Sequence, residues 1–140
     1  MVKRNVLIRK IEAIEKHIVK AALYKSLSYA AFKSHPEAQD IVSFNLFQAI
    51  NSLISMMEHI VVDEGYGLPE SAYHAAELLR QKRILGSKDL ETIRRMVGFR
   101  NVIAHQYTDI DTHKVYLALT EGSKDIVRLV KKLGKYFKVY

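Results

Sequence analysis

Eight consecutive residues, Arg100 to Tyr107, combine three side chains that could act on a phosphodiester. Arg100 is a permanent cation, and its fork of N–H donors matches phosphate oxygens. His105 titrates near neutral pH and could transfer protons, which is typically worth about 10²–10⁴-fold in rate. Tyr107 adds a hydroxyl that can be modified. Because cleavage of RNA without a metal needs a proton carrier and charge stabilisation, these residue types suit that chemistry.

A helical projection shows how the octet would be presented. On a helix over 88–106, the apolar residues that share one side are Ile93, Met96, Val97, Ile103 and Ala104. Arg100 falls within this stripe, where a cation is expected only if it is paired or faces a cleft. His105 lies about 140° around the helix from Arg100. On one copy of the helix, Arg100 and His105 therefore point in different directions. Two copies that face each other across a two-fold axis would place the Arg100 and His105 of both chains in one groove.

Other interpretations of these residues remain open. Arg100 could be a core-edge arginine in a salt bridge, and His105 a cation at a helix C-terminus. Asn101 could hold either the phosphate or the imidazole tautomer. Gln48 and Asn51, one turn apart on the polar side of another helix, could line the groove, although exposed amides are commoner.

Composition excludes several classes of protein. The chain of 140 residues fits a single domain, 1–140, and contains no cysteine, so we expect no disulfide, thiolate nucleophile or Cys-containing zinc site. Its six histidines form no H-E-x-x-H motif and no i, i+4 pair, and we expect no metal. No apolar run approaches about 18 residues, and no signal peptide is recognisable. We therefore expect a cytoplasmic protein that is not bound to a membrane.

The net charge of +7 favours a polyanionic partner, of which nucleic acid is the usual one. A solvated basic surface without a partner would explain the same number. The basic residues concentrate at the two ends of the chain: Lys3, Arg4, Arg9, Lys10, Arg128, Lys131, Lys132, Lys135 and Lys138. If the terminal helices pack side by side, these residues would merge into one patch.

The hydrophobic periodicity is helical throughout and predicts an antiparallel four-helix bundle with one or two short extra helices. The predicted segments are 3–20, 23–33 (a short helix or an irregular arm), 36–64, 70–83, 88–106 and 112–137. Ser34 and Ser87 are the expected N-caps of two of them. Gly122 predicts a kink or a close contact inside the last helix.

The longest predicted helix also has the clearest apolar face. The residues of that face are Phe44, Phe47, Ile50, Leu53, Ile54, Met57, Ile60 and Val61.

The octet RNVIAHQY resembles the Arg-x4-His-x-Tyr motif of the HepT-like HEPN ribonuclease toxins. The resemblance covers most of the chain from about residue 40 onward, and residues 20–40 match least well. The segments that carry it besides the octet are 45–50, 67–71 with 78–79, 96–99 and 109–116.

This resemblance implies a toxin of a type VII-like toxin–antitoxin pair, folded as a HEPN-like helical bundle and assembled as a two-fold homodimer. Arg100 and His105 would be catalytic, with Asn101 as their polar neighbour. The enzyme would cleave RNA (mRNA or tRNA) without a metal or a cofactor and leave a 2′,3′-cyclic phosphate. Its partner would be a minimal nucleotidyltransferase antitoxin that uses ATP to transfer AMP to Tyr107, which adds negative charge beside the catalytic pair.

Two other functions are compatible with the sequence. The chain could be a non-catalytic helical subunit that binds a nucleotidyltransferase or nucleotides and merely keeps the motif. It could also be a basic helical DNA-binding protein, although no helix-turn-helix signature is apparent.

Overall fold

Seven α-helices form the chain in a computed structural model that describes residues 1–105 and 110–140. They are α1 (Arg4–Ala22), α2 (Tyr29–Lys33), α3 (Pro36–Asp63), α4 (Ala72–Gln81), α5 (Ser87–His105), α6 (Thr112–Leu117) and α7 (Ser123–Tyr136). A π-helical turn, Ala118–Gly122, joins α6 to α7 without a break in the helix. The described residues contain no β-strand, so the predicted all-α class is confirmed.

The long helices run alternately up and down. The amino group of Met1 donates to the Asp63 carbonyl oxygen at 2.7 Å, so the start of α1 lies at the end of α3. The Arg4 guanidinium donates to the Lys138 carbonyl, which places the start of α1 beside the end of α7 as well. The basic ends of the chain are therefore adjacent, as predicted. In the described part of the chain, no helix is long and apolar enough to cross a membrane.

Two hydrophobic clusters lie within the bundle. The larger one joins α1, α3, α4, α5 and α7, and includes the fully buried Leu53, Ile60 and Ile93. The smaller one surrounds Phe32 of α2, against which α3 and α6 pack. Residues 23–33, predicted as a short helix or an irregular arm, form turns followed by the five-residue α2. The short helix therefore closes one end of the bundle around a single phenylalanine.

Two details of α3 differ from the sequence prediction. His35, not Ser34, is the N-cap, because its Nδ1 accepts the Ala38 N–H at 3.1 Å. Phe44 was expected in the core, but 56% of it is exposed and its ring meets only the edge of the His17 ring. Most of the predicted apolar face of α3 is buried, including Ile50, Leu53 and Met57, so Phe44 is an exception near the start of the helix. An apolar side chain is thus left in solvent on a single chain.

The π-helical turn ends at Gly122, where the sequence predicted a kink or a close contact. A π-helical turn contains one residue more than an α-helical turn. The side chains of α7 therefore face a different direction from the one that an unbroken α-helix would give them. A Cβ at Gly122 would lie 3.7 Å from that of Ala118, an ordinary contact. The irregularity is therefore confirmed, and it does not arise from crowding at the glycine.

A buried carboxylate fixes the start of α5. Only 3% of Asp89 is exposed, and its Oδ2 accepts the Gly86 N–H at 2.8 Å. Because α5 begins at Ser87 itself, Ser87 is not its cap, contrary to the sequence prediction. Asp89 reaches back to the residue before the helix, in the manner of the acidic member of a capping box. Arg128 Nη1 and Lys132 Nζ of α7 each lie 2.6 Å from this carboxylate and tie α5 to α7.

Because of Asp89, the free energy of unfolding of the bundle should decrease at low pH. Burial alone raises the pKa of Asp89, but hydrogen bonds from Lys132, the Gly86 N–H and Arg128 outweigh it and lower the pKa from 3.8 to about 2. A lowered folded-state pKa stabilises the protein above about pH 4, and the contribution disappears as the pH falls to 2. We expect Asp89→Asn to cost on the order of 2 kcal/mol at pH 7 and nothing near pH 2. Urea unfolding at several pH values measures this.

Glu91→Gln is the matched control for this measurement, because Glu91 is an exposed carboxylate in the same turn of α5. Its unfolding free energy should follow that of the wild type at every pH. If Asp89→Asn and the wild type instead lost stability in parallel between pH 5 and pH 2, Asp89 would not be the acid-sensitive group.

Candidate functional site

The last two turns of α5 present the predicted catalytic residues. Asp89 fixes the start of this helix, and the buried Ile93 and Met96 hold its first half in the core. His105 is the last residue of α5. Tyr107, the predicted modification site, lies outside the described residues, which resume at Ile110.

The Arg100 guanidinium is half-buried between α5 and α3. Its Nε and Nη2 donate to Asn101 Oδ1 at 3.2 and 3.0 Å, and its Nη1 donates to Asn51 Oδ1 at 3.4 Å. Within residues 1–105 and 110–140, no carboxylate lies within 4 Å of it. The salt-bridged alternative therefore has no support in the described residues. Two neutral amides hold the cation and leave its charge available to an anion.

Asn51 joins this group across a long stretch of chain. It belongs to α3, is half-buried and is 49 residues from Arg100 in sequence. Gln48, one turn earlier on the same side of α3, is also half-buried. The structure thus brings Asn51, Arg100 and Asn101 together, whereas Gln48 lies beside them without a described hydrogen bond to Arg100.

His105 is exposed and does not share a face with Arg100. The helix continues through both residues, so the projected divergence of about 140° holds in the structure. None of the described hydrogen bonds joins the two side chains. A single chain therefore presents the cation and the histidine on different flanks of α5.

An exposed stripe of α3 lies beside the hydrogen-bonded side chains of Asn51, Arg100 and Asn101. Phe44, Gln48, Asn51 and Ser55 recur at helical spacing on one side of α3 and are all exposed or half-buried. The stripe places an exposed phenyl ring two turns from the amide that holds Arg100. The exposed ring is therefore available to contact a second chain beside these polar side chains.

The Asp89–Arg128–Lys132 cluster is a polar group that the sequence interpretation missed. The two cationic partners of Asp89 lie 39 and 43 residues away from it in the sequence. Sequence spacing on α7 places Arg128 and Lys132 on one face, four residues apart, but it cannot indicate which helix that face meets. Among the described residues, no cluster of three or more His, Asp or Glu could hold a metal ion.

A helical bundle whose fifth helix ends in Arg-x4-His is the arrangement that the resemblance to HEPN ribonuclease toxins implies. Residues 4–133 match the family described as "Ribonuclease HepT-like". Because this match covers nearly the whole chain, the protein belongs to the HepT-like family.

Individual relatives agree with this assignment. The chain is 27% identical over 126 residues to an mRNA nuclease HepT of Shewanella oneidensis, covering 90% of this chain and 94% of the relative. It is 23% identical over 128 residues to a tRNA nuclease HepT of Aphanizomenon flos-aquae, covering 91% and 86%. These names confirm the family resemblance that the octet predicted, and they favour a nuclease over a non-catalytic subunit.

A solved structure shares the fold. The tri-AMPylated HEPN toxin of Shewanella oneidensis, solved in complex with an MNT antitoxin, superposes with a TM-score of 0.84 at 23% identity. The match covers 93% of this chain and 97% of the toxin chain. The predicted HEPN-like bundle is therefore confirmed.

Proposed function

We propose that this protein is the toxin of a toxin–antitoxin pair, an endoribonuclease in which Arg100 and His105 cleave RNA without a metal. The observation that carries the proposal is the Arg100 guanidinium, half-buried between α3 and α5 and held by two amides. Among the described residues no carboxylate pairs with this cation, so a phosphate displaces none of them when it binds. Family membership and the nuclease names of the relatives support the same conclusion.

The proposed reaction is an internal transesterification. His105 takes the proton of the 2′-hydroxyl, and the imidazolium so formed or solvent gives one proton to the leaving 5′-oxygen. The 2′-oxygen forms a bond to phosphorus as the bond to the 5′-oxygen breaks, which leaves a 2′,3′-cyclic phosphate and a 5′-hydroxyl. Arg100 donates to the phosphate oxygens, where charge accumulates in the transition state. Asn101 and Asn51 hold the guanidinium in place.

The active assembly in this proposal is a two-fold homodimer. One chain separates Arg100 from His105 around α5, whereas a two-fold axis beside the α3 stripe brings both pairs into one groove. Exposed Phe44 lies on that stripe, and an aromatic side chain can bury about 150–250 Å² in an interface. The dimer thus explains both the divergent catalytic residues and the exposed ring.

We expect Phe44→Asp to convert a dimer into a monomer and to lower RNA cleavage at least tenfold, because each groove then loses the partner's residues. Light scattering measures the mass in solution, and a labelled RNA measures cleavage. Leu68→Asp is the matched control, since Leu68 is also exposed and apolar but lies in the loop after α3. A monomeric wild type that cleaves RNA would contradict the dimer.

The switch in this proposal is AMP transfer to Tyr107 by a nucleotidyltransferase antitoxin. The Tyr107 oxygen bonds to the α-phosphorus of ATP, pyrophosphate leaves, and the hydroxyl proton goes to solvent. The adduct places negative charge two residues from His105, where it repels RNA phosphates. The tri-AMPylated relative bound to its antitoxin supports this switch. The reaction places both proteins in the cytoplasm, with ATP and RNA.

Expression in cells tests the proposed toxin function. Wild-type protein produced without its partner should stop growth, the partner should restore it, and His105→Ala should not be toxic. Equal growth with wild type and His105→Ala, combined with intact RNA in the presence of purified wild-type protein, would contradict the ribonuclease function.

A further inference from the structure

Two adjoining clefts surround the first turn of α5, at the opposite end of that helix from His105. One of about 540 Å³ lies between the end of α4 and α7, and one of about 690 Å³ lies between α5 and α7. Gly86, Ser87 and Lys132 line both. The cations that line them are Arg80, Arg83, Lys88, Arg95, Arg128 and Lys132. We call this surface the α5 basic cleft.

Asp89 holds two of these cations in fixed positions. Its side chain is only 5% exposed, whereas those of Arg128 and Lys132 are 46% and 44% exposed. In the described hydrogen bonds each cation donates one N–H to Asp89, whereas an arginine carries five N–H donors and a lysine three. The buried carboxylate therefore anchors the two half-exposed side chains, and the described hydrogen bonds leave their other donors unused.

The cleft has a strong charge excess and an apolar floor. Six cations and three carboxylates line it, and one of these carboxylates, Asp89, already accepts hydrogen bonds from Arg128 and Lys132. Ile84, Leu85 and Leu90 form its floor and are almost fully buried, so a ligand mainly meets the cations at the walls. Cations spread over two adjoining clefts suit the regularly spaced phosphates of a nucleic acid backbone.

We propose that the α5 basic cleft binds the phosphate backbone of the RNA substrate at a distance from the bond that is cut. The proposal rests on the ribonuclease function proposed above. From Ser87 to His105 the helix spans roughly 27 Å, which about eight stacked nucleotides cover at 3.4 Å each. The cleft thus adds affinity for RNA that extends well beyond the cleaved position, without reading its sequence.

The backbone of Arg83 provides a clean test. Its φ is +60°, in the left-handed region that glycine adopts without strain. Arg83→Gly therefore removes a cation without destabilising the turn. We combine it with Arg80→Gln in a His105→Ala background, so that binding is measured without cleavage. The control pair is Lys16→Gln with Lys20→Gln, which removes the same charge from exposed positions on α1.

Fluorescence polarisation with a labelled single-stranded RNA of about 30 nucleotides gives the affinity at several salt concentrations. We expect the cleft pair to weaken binding roughly tenfold and to make the slope of log K against log salt shallower by about 1.4, or about 0.7 per lost contact. The control pair should lose much less affinity and keep its slope. Equal loss in both pairs would mean that only net charge matters, and would overturn the proposal.

Two further results separate this proposal from the others. If the cleft pair binds RNA as the control does but no longer binds the antitoxin, the cleft is a protein-docking surface and the RNA proposal is wrong. If wild-type protein cleaves RNA while the cleft pair keeps full affinity, only the cleft proposal fails. If His105→Ala does not bind the RNA and wild-type protein does not cleave it, the ribonuclease function itself fails.

Discussion

Replacing His105 by alanine should lower RNA cleavage by about 10²–10⁴-fold, because proton transfer to or from the reacting oxygens is worth that much. The fold should survive, since His105 is exposed and ends α5. Removing a histidine from a helix C-terminus costs at most about 1 kcal/mol at an exposed site. Single-turnover cleavage of a labelled RNA, with circular dichroism of the same samples, measures both effects.

His74→Ala is the matched control, because His74 lies on α4 and not on the α3 stripe, and its Nδ1 accepts the Glu70 N–H. It should cleave RNA at the wild-type rate. If His105→Ala cleaved RNA within a few-fold of wild type, the histidine would be the helix-terminal cation of the alternative interpretation, and another group would transfer the proton.

Replacing Tyr107 by phenylalanine should make the toxin insensitive to its antitoxin. Wild-type protein incubated with the nucleotidyltransferase and ATP should gain mass in steps of one AMP unit and lose RNA cleavage, since the adduct repels incoming phosphates. Tyr107→Phe should gain no mass, keep its cleavage activity and remain toxic in cells that contain the antitoxin. Intact-mass spectrometry followed by a cleavage assay measures each of these outcomes.

Tyr140→Phe removes the hydroxyl of a tyrosine that is exposed in the described structure, and it should behave like wild type. Equal mass gain in Tyr107→Phe and wild type would place the modification elsewhere. An adenylated wild type that still cleaves RNA at full rate would show that the modification is not the switch.

The fold followed from the periodicity of apolar residues. All the predicted helices occur, and α3 and α5 end within about two residues of their predicted bounds. The errors are local. His35 caps α3 one residue later than predicted, because its imidazole nitrogen accepts the Ala38 N–H. Phe44 is exposed although most of the predicted apolar face is buried, because period alone does not determine how far along a long helix the core extends.

The site was only partly predictable from the sequence. The position of Arg100 on an apolar stripe predicted a cation that is paired or faces a cleft. In the structure, Arg100 donates a hydrogen bond to the side-chain amide of Asn51. The Asp89 cluster was not predicted, because it depends on which face of α7 meets α5. The role of Tyr107 remains a prediction, since residues 106–109 lie outside the described structure.

The chemical identity of the cut RNA ends tests the central proposal most directly. Purified wild-type protein, incubated with a labelled RNA in an excess of EDTA, should produce fragments that end in a 2′,3′-cyclic phosphate and begin with a 5′-hydroxyl. His105→Ala prepared in the same way should leave the RNA intact, which excludes a contaminating nuclease. Cleavage that stops in EDTA, or fragments that begin with a 5′-phosphate, would contradict a metal-independent attack by the 2′-hydroxyl at the Arg100–His105 groove.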